Sequence, residues 1–299
     1  MPSELAIRPG SVPDIDSLLQ PQLWTDLNPT LTVVKAEGLK NIGALVIDKA
    51  TGDALDNLLI NEGYFHIPQP PWNLPLGDMA QAIVRLCERG FVPPFCFIYD
   101  EFWLMYIKLK QMLGRLLGET YMMLPDFWAW FVDPRSSQSG WKPHRDMDYT
   151  ALFPDRRPKA LTVWISLTEA TPLNGCIYIV PAHLDPTYGT PQDKEWRFQP
   201  QDIRALPSPA GGLFMWTQAA VHWGSHSSPL AAGPRISIAV EFQRGDVPPM
   251  NQPLIPPTAR LTLEQRLKLI CKQILQYQHM YPLTPELRQL AEQVMNRRA

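Results

Sequence analysis

Charge is scarce in this chain. Only 19% of its 299 residues are Asp, Glu, Lys or Arg, and 27 basic side chains against 29 acidic ones leave a formal net charge of −2. With no basic surplus, nucleic acid and anionic membrane surfaces are excluded as electrostatic partners. No apolar run approaches the roughly 18 residues of a bilayer span. The N-terminus MPSELAIRPGSVPDIDSLLQ lacks the basic start and apolar core of a secretory signal. Cysteine is also sparse. Cys87, Cys96, Cys176 and Cys271 lie far apart with no CxxC pair, so neither a disulfide framework nor a zinc knuckle is predicted, and free thiols in a reducing compartment are. The expectation is a soluble, cytoplasmic protein. Glycine (17) is too rare and aperiodic for collagen, and no heptad pattern persists. Ten tryptophans in a 45% hydrophobic chain are the reverse of a disordered composition.

What is abundant is proline, 32 residues, and it punctuates the chain into segments. Residues 1–50 carry only short apolar runs and predict a wrapping arm. TGDALDNLLINE (51–62) and Met79–Arg89 have helical spacing, GYFHIP predicts a strand, and Asp100 is placed to cap a helix through EFWLMYIKLKQMLGRLLG. From about Phe127 to Phe242 the texture changes to FWAWFV, ALTVWISL, CIYIV, GLFMW and RISIAVEF. These short β-branched and aromatic runs, bounded by Pro, Gly, Asn or Asp, predict an all-β sandwich or barrel. After a proline-rich linker, Thr262 with Gln265 has capping-box spacing, and Thr284-Pro285 opens a last helix. The class is mainly β with flanking helices (α+β). One domain is expected over 1–257, with an N-terminal wrap to 125 and a β core at about 126–246. Residues 258–299 form a C-terminal helical extension packed on it.

The β region holds His144, His183, His222 and His226. In GWKPHRDMDY, His144 and Asp146 are two apart, so on a strand both side chains project from one face and can meet one metal ion. Asp148 is an alternative carboxylate, four positions from His144 and with poorer reach. His222, in AGGLFMWTQAAVHWGSHSS, is placed to complete the set, with His226 as its rival. Thirteen residues past His222, Arg235 opens the strand RISIAVEF, where its planar fork calls for an anion such as a carboxylate. Two histidines and one carboxylate leave three adjacent octahedral positions open, the facial triad of non-haem Fe(II) oxygenases. A zinc hydrolase could use the same three ligands without needing the arginine.

From about Trp141 to Phe242 the sequence resembles the phytanoyl-CoA dioxygenase family of Fe(II)/2-oxoglutarate-dependent oxygenases. GWKPHRD is similar to its first metal motif and LTVWISLTEATPLNGCIYIVP to its central stretch. AGGLFMW, VHWGS and PRISIA follow in the family's order. Trp223 is inserted where relatives have HGS, Gly211-Gly212 stands for GD, and PAHL around His183 stands for PGSH. The resemblance implies a double-stranded β-helix (jelly-roll, cupin-like) core, with His144, Asp146 and His222 on Fe(II). It further implies Arg235 on the distal carboxylate of 2-oxoglutarate with Ser237 or Ser225 beside it, and Trp164 lining the co-substrate pocket. O2 is the oxidant, ascorbate a supporting reductant, and hydroxylation of an unactivated C–H with release of succinate and CO2 the implied activity. Asp146, rather than Gly or Ala, argues against halogenation.

The substrate is expected to be a small molecule, an amino acid or a biosynthetic intermediate. Arg145, Trp223 and His226 are its candidate contacts, and the protein is expected to be a monomer or homodimer. The rival readings are a non-catalytic binding protein on the same barrel, a metal hydrolase or isomerase on a cupin-like barrel, and an oxygenase of peptide or carrier-bound substrates.

Overall fold

A computed structural model describes residues 13–35, 43–136 and 141–297. Of the arm predicted over 1–50, residues 1–12 and 36–42 lie outside the described residues, as does Gly140 of the GWKPHRD motif. The elements run in chain order α1 (Ile15–Leu18), α2 (Pro21–Leu27), α3 (Lys49–Glu62), β1 (Tyr64–Ile67), α4 (Leu76–Glu88), α5 (Asp100–Lys108), α6 (Lys110–Leu117), β2 (Met122–Val132), β3 (Ala160–Ser166), β4 (Ile177–Ile179), β5 (Arg204–Leu206), β6 (Leu213–Thr217), β7 (His222–Gly224), β8 (Arg235–Gln243), α7 (Leu263–Gln276) and α8 (Pro285–Asn296).

Two antiparallel sheets form the core, a five-stranded one of order β1-β6-β3-β8-β2 and a three-stranded one of order β5-β4-β7. A cavity lies between them, lined by Thr162, Trp164 and Glu241 of the larger sheet and Ile177 and His222 of the smaller. This is the jelly-roll arrangement, but hydrogen bonding among the described residues does not close it into a barrel. The larger sheet's other face is covered by the helical layer: Phe127 packs on Phe97 at 4.6 Å and Phe242 on Tyr106 at 5.7 Å between ring centroids. Because both faces are covered, every residue of β3 and β8 is buried, which is why these strands read as near-continuous apolar runs. Their few polar residues must therefore face the cavity or find partners.

Prolines mostly fall between strands, with one exception that shapes the site. Pro125 lies inside β2 and has no N–H for the ladder. The pairing with β8 slips there: Phe127 faces Val240 and Met123 faces Phe242. Three residues of β2, Leu124, Pro125 and Asp126, thus stand against the single Glu241 of β8, a bulge that brings two acids side by side.

Two predictions for the helices are corrected. The helix expected through residue 118 is stepped at Leu109, whose N–H donates to the Tyr106 carbonyl at 3.0 Å, separating α5 from α6. Asp100 is not the cap; Tyr99 holds that position. The Asp100 carboxylate instead accepts from Thr32 Oγ1 (2.9 Å), Val34 N (3.0 Å) and Lys35 N (2.9 Å) and pairs with Arg266 of α7 at 2.6 Å. Arg266 also donates to the Ile98 carbonyl at 2.7 Å. One buried carboxylate so ties the N-terminal arm to the C-terminal helix. The Thr262/Gln265 capping box and the Thr284 cap form as predicted.

The TPLNG turn places Gly175 at φ +89°, where a Cβ would lie 2.9 Å from the Ser225 carbonyl oxygen and 3.8 Å from Arg235 Nε. Gly175→Ala is expected to cost about 1–3 kcal/mol, from strain and crowding together. Urea denaturation would measure it, and an unchanged midpoint would contradict the assignment.

Candidate active site

His144 and His222 come together through backbone pairing. His144 N donates to His222 O at 3.1 Å and His222 N to His144 O at 2.9 Å, a closely spaced antiparallel pair that extends the smaller sheet past β7. The segment after His144 bends instead of continuing as the strand assumed for the HxD spacing. The bend still returns Asp146 to the histidines: its Oδ1 lies 3.4 Å from His144 Nε2 and 3.5 Å from His222 Nε2. The three ligand atoms are all within 4.8 Å of one another.

The tautomers follow from the neighbours. His144 Nδ1 lies 2.6 Å from the Lys142 carbonyl and His222 Nδ1 3.1 Å from that of Ala220. A carbonyl only accepts, so each Nδ1 carries the proton and each Nε2 presents a lone pair toward the same carboxylate oxygen. The other Asp146 oxygen accepts from Thr162 Oγ1 (2.6 Å) and Trp216 Nε1 (3.0 Å). Two lone pairs and an anionic oxygen converging with no proton between them form a cation site, and the N2O set suits iron.

Electrostatics agree with this. Burial pulls His222 down to about 4, so it stays neutral. Burial would raise Asp146, but the two histidines and Thr162 outweigh it and hold the carboxyl well below the usual range. For His144 burial is outweighed by the Asp146 carboxylate and the Lys142 carbonyl, and the imidazole ends above its ordinary 6.5. A metal needs His144 neutral, so protons compete below that raised value. Iron affinity is expected to fall as pH drops from 8 to 6, which metal titration at both pH values would measure. Equal affinity at the two would contradict it.

Arg235 is 1% exposed. Its Nη1 donates to Ser237 Oγ at 2.5 Å, its Nε has no partner, and no carboxylate among the described residues pairs with it. Burial pulls the guanidinium down to about 10. An isolated buried cation is costly unless an anionic ligand completes it, and Trp164 Nε1 beside the same cavity is likewise unpartnered. These orphan donors fit a dicarboxylate such as 2-oxoglutarate. Ser225, the other serine expected beside it, lines an outer groove with Tyr178, Trp223 and His226.

Arg145, expected as a substrate contact, lines the cavity. Its guanidinium donates to Asp185 Oδ2 (2.7 Å), Thr187 Oγ1 (3.0 Å) and the carbonyls of Asp193 (2.9 Å) and Ala219, which commits four of its five N–H donors within the protein. Trp223 stacks on Tyr178 at 5.8 Å and lines both the cavity and the outer groove. His226 is exposed in that groove, away from the triad. Asp148 caps a turn through Thr150, and His183 faces Glu62 at 3.2 Å.

The cavity has a volume of about 410 Å³, large enough for a small molecule beside the triad. Several of its residues have no counterpart in the sequence-based expectations: Asp126, Trp141, Glu241, Asn251 and Tyr277. The available signal was a lone acid inside each of two apolar strands, LPDFWAW and SIAVEF.

The family model described as Phytanoyl-CoA dioxygenase (PhyH) matches residues 98–228, so the resemblance seen in the motifs is borne out. The match spans all three triad residues and stops short of Arg235. Similar solved structures include the apo form of ThoJ, a non-heme monooxygenase (14% identity, covering 82% of this chain and 100% of that one, TM-score 0.55). AviO1 from Streptomyces viridochromogenes Tue57 (18%, 68% and 98%, TM-score 0.52) is another. A third is the epimerase SnoN in complex with Fe3+, alpha ketoglutarate and nogalamycin RO (18%, 71% and 97%, TM-score 0.50). At these identities the likeness establishes the fold, the cupin-like jelly roll of non-heme enzymes. No curated protein matches the sequence, and no helix among the described residues is long and apolar enough to cross a membrane.

Proposed function

We propose that the protein is an Fe(II)/2-oxoglutarate-dependent dioxygenase that hydroxylates an unactivated C–H of a small molecule, an amino acid or biosynthetic intermediate. The observation that carries this reading is the convergence of two imidazole lone pairs and one carboxylate at a cavity that also holds a buried, unpaired arginine. His144, Asp146 and His222 would hold the iron, and Arg235 with Ser237 the distal carboxylate of 2-oxoglutarate, with Trp164 beside it. The chemistry supplied by the bound cofactors is R–H + 2-oxoglutarate + O2 → R–OH + succinate + CO2. The protein's own contribution is positioning and exclusion of water. Thr162 and Trp216 fix the Asp146 carboxylate, the Lys142 and Ala220 carbonyls fix the two imidazoles, and Trp141, stacked on His144 at 5.0 Å, screens one side. Residues 1–257 are read as one oxygenase domain and 258–299 as an extension packed on it, a reading that the Arg266–Asp100 pair supports.

Succinate formation from 2-oxoglutarate with Fe(II) and ascorbate tests the reading. The expected result is iron-dependent succinate, lost in His144→Ala together with iron binding. Iron-independent succinate, or unchanged iron binding in that variant, would overturn it.

A further inference from the structure

The proposed reaction accounts for Arg235 and the triad but leaves the acids of the β2 bulge without a role. Asp126 is 3% exposed and Glu241 8% exposed, and both line the cavity. Asp126 is held by neutral donors: Asn251 Nδ2 reaches both its oxygens at 2.8 Å and Tyr277 OH donates at 2.8 Å. Glu241 has no salt bridge to any described cation. Its neighbour Gln218 is fully buried and offers it only a neutral amide. Half-buried Lys272 serves the Asp126 side, where its Nζ is engaged by Gln276 Oε1 (2.7 Å) and Asn251 Oδ1 (3.4 Å). Arg235 is six residues away along β8, roughly 20 Å at strand rise.

Three aromatic rings stand over this acidic end. Trp128 and Tyr277 are 5.3 Å apart between centroids, and Trp141 lies 6.3 Å from each. Trp141 also stacks on His144, so the ring cluster adjoins the triad. Tyr277 ends α7 and Asn251 comes from the proline-rich linker, so the linker and the C-terminal extension together supply one wall of the cavity.

Aromatic faces beside carboxylates, in a site that excludes water, are the surroundings that bind organic cations. An acid buried among rings without a counter-ion is costly, and a cationic ligand removes that cost. We propose that this end of the cavity is a subsite for an alkylammonium group of the substrate, with Glu241 as its counter-charge and Trp128, Trp141 and Tyr277 as its walls. The proposal deepens the oxygenase reading and rests on it only for the word substrate. Burial first, and the neighbouring carboxylates second, push Glu241 well above the ordinary glutamate range, and burial raises Asp126 as well; a bound ammonium opposes that shift by favouring the carboxylate that pairs with it. The same crowding of acids disfavours an anionic group here.

The test is calorimetric titration of the purified full chain, with and without Fe(II), using n-butylammonium and its neutral isostere 1-butanol. The expected result is at least tenfold tighter binding of n-butylammonium, a preference that disappears in Glu241→Gln. Equal binding of the two probes, no binding of either, or a preference retained in Glu241→Gln overturns the proposal. Should that variant fail to fold, the wild-type comparison alone decides. Succinate release is measured separately, so loss of the oxygenase reading with an intact ammonium preference, or the converse, is distinguishable.

Discussion

Arg235→Met is expected to move stability and co-substrate binding in opposite directions. The guanidinium is fully buried, its one hydrogen bond is to Ser237, and no anion in the described chain offsets its charge. Replacing it by an apolar side chain of similar length removes an unpaired charge, which stabilises by about 1–4 kcal/mol. For a domain of this size that is a Tm rise of several degrees without ligand. Yet 2-oxoglutarate would lose the partner of its distal carboxylate, at about 2–5 kcal/mol, or roughly 30-fold to several-thousand-fold in affinity. Thermal melts with and without 2-oxoglutarate read both effects. A variant that melts lower and still gains stability from 2-oxoglutarate would show that Arg235 is structural.

The second large effect is at Asp146. Asp146→Asn keeps the shape and the Thr162 contact, but it removes the negative charge and offers an amide in place of a carboxylate oxygen. Iron affinity is expected to fall by about 100-fold or more, beyond the 10- to 100-fold typical of losing a supporting contact, with succinate formation falling alongside it. Measured iron stoichiometry checks this, and full occupancy at equal affinity would remove Asp146 from the ligand set. His144→Ala acts on the same set and is not expected to add independently.

How much of this was legible in the sequence varied with where the polar residues stand. His144, Asp146, His222 and Arg235 lie at strand ends or in turns, where a polar residue contrasts with apolar runs and its spacing can be interpreted. Strand positions were legible because β3 and β8 are covered on both faces and so are mostly apolar along their length. Asp126 and Glu241 were not, because each is one acid inside a strand, and only the Pro125 bulge sets them opposite each other. Asn251 and Tyr277 stand in segments that local pattern assigns to a linker and a packing helix. Their place at the cavity depends on α7 docking through Arg266 and Asp100, a contact between residues 166 positions apart. The hydrogen-bond network around Arg145 was hidden too. Its partners Asp185, Thr187, Asp193 and Ala219 arrive from two later loops.

The central claim is that one iron and one 2-oxoglutarate assemble on His144, Asp146, His222 and Arg235. Anaerobic titration of the Fe(II)-loaded protein with 2-oxoglutarate, followed by visible absorption, tests it most directly, because chelation of Fe(II) by a 2-oxo acid produces a charge-transfer band. The expected result is a band saturating at one equivalent in the wild type, reached only at far higher 2-oxoglutarate in Arg235→Met and absent in His222→Ala. A wild-type protein that binds iron but develops no band, or a band of equal strength in His222→Ala, would contradict it.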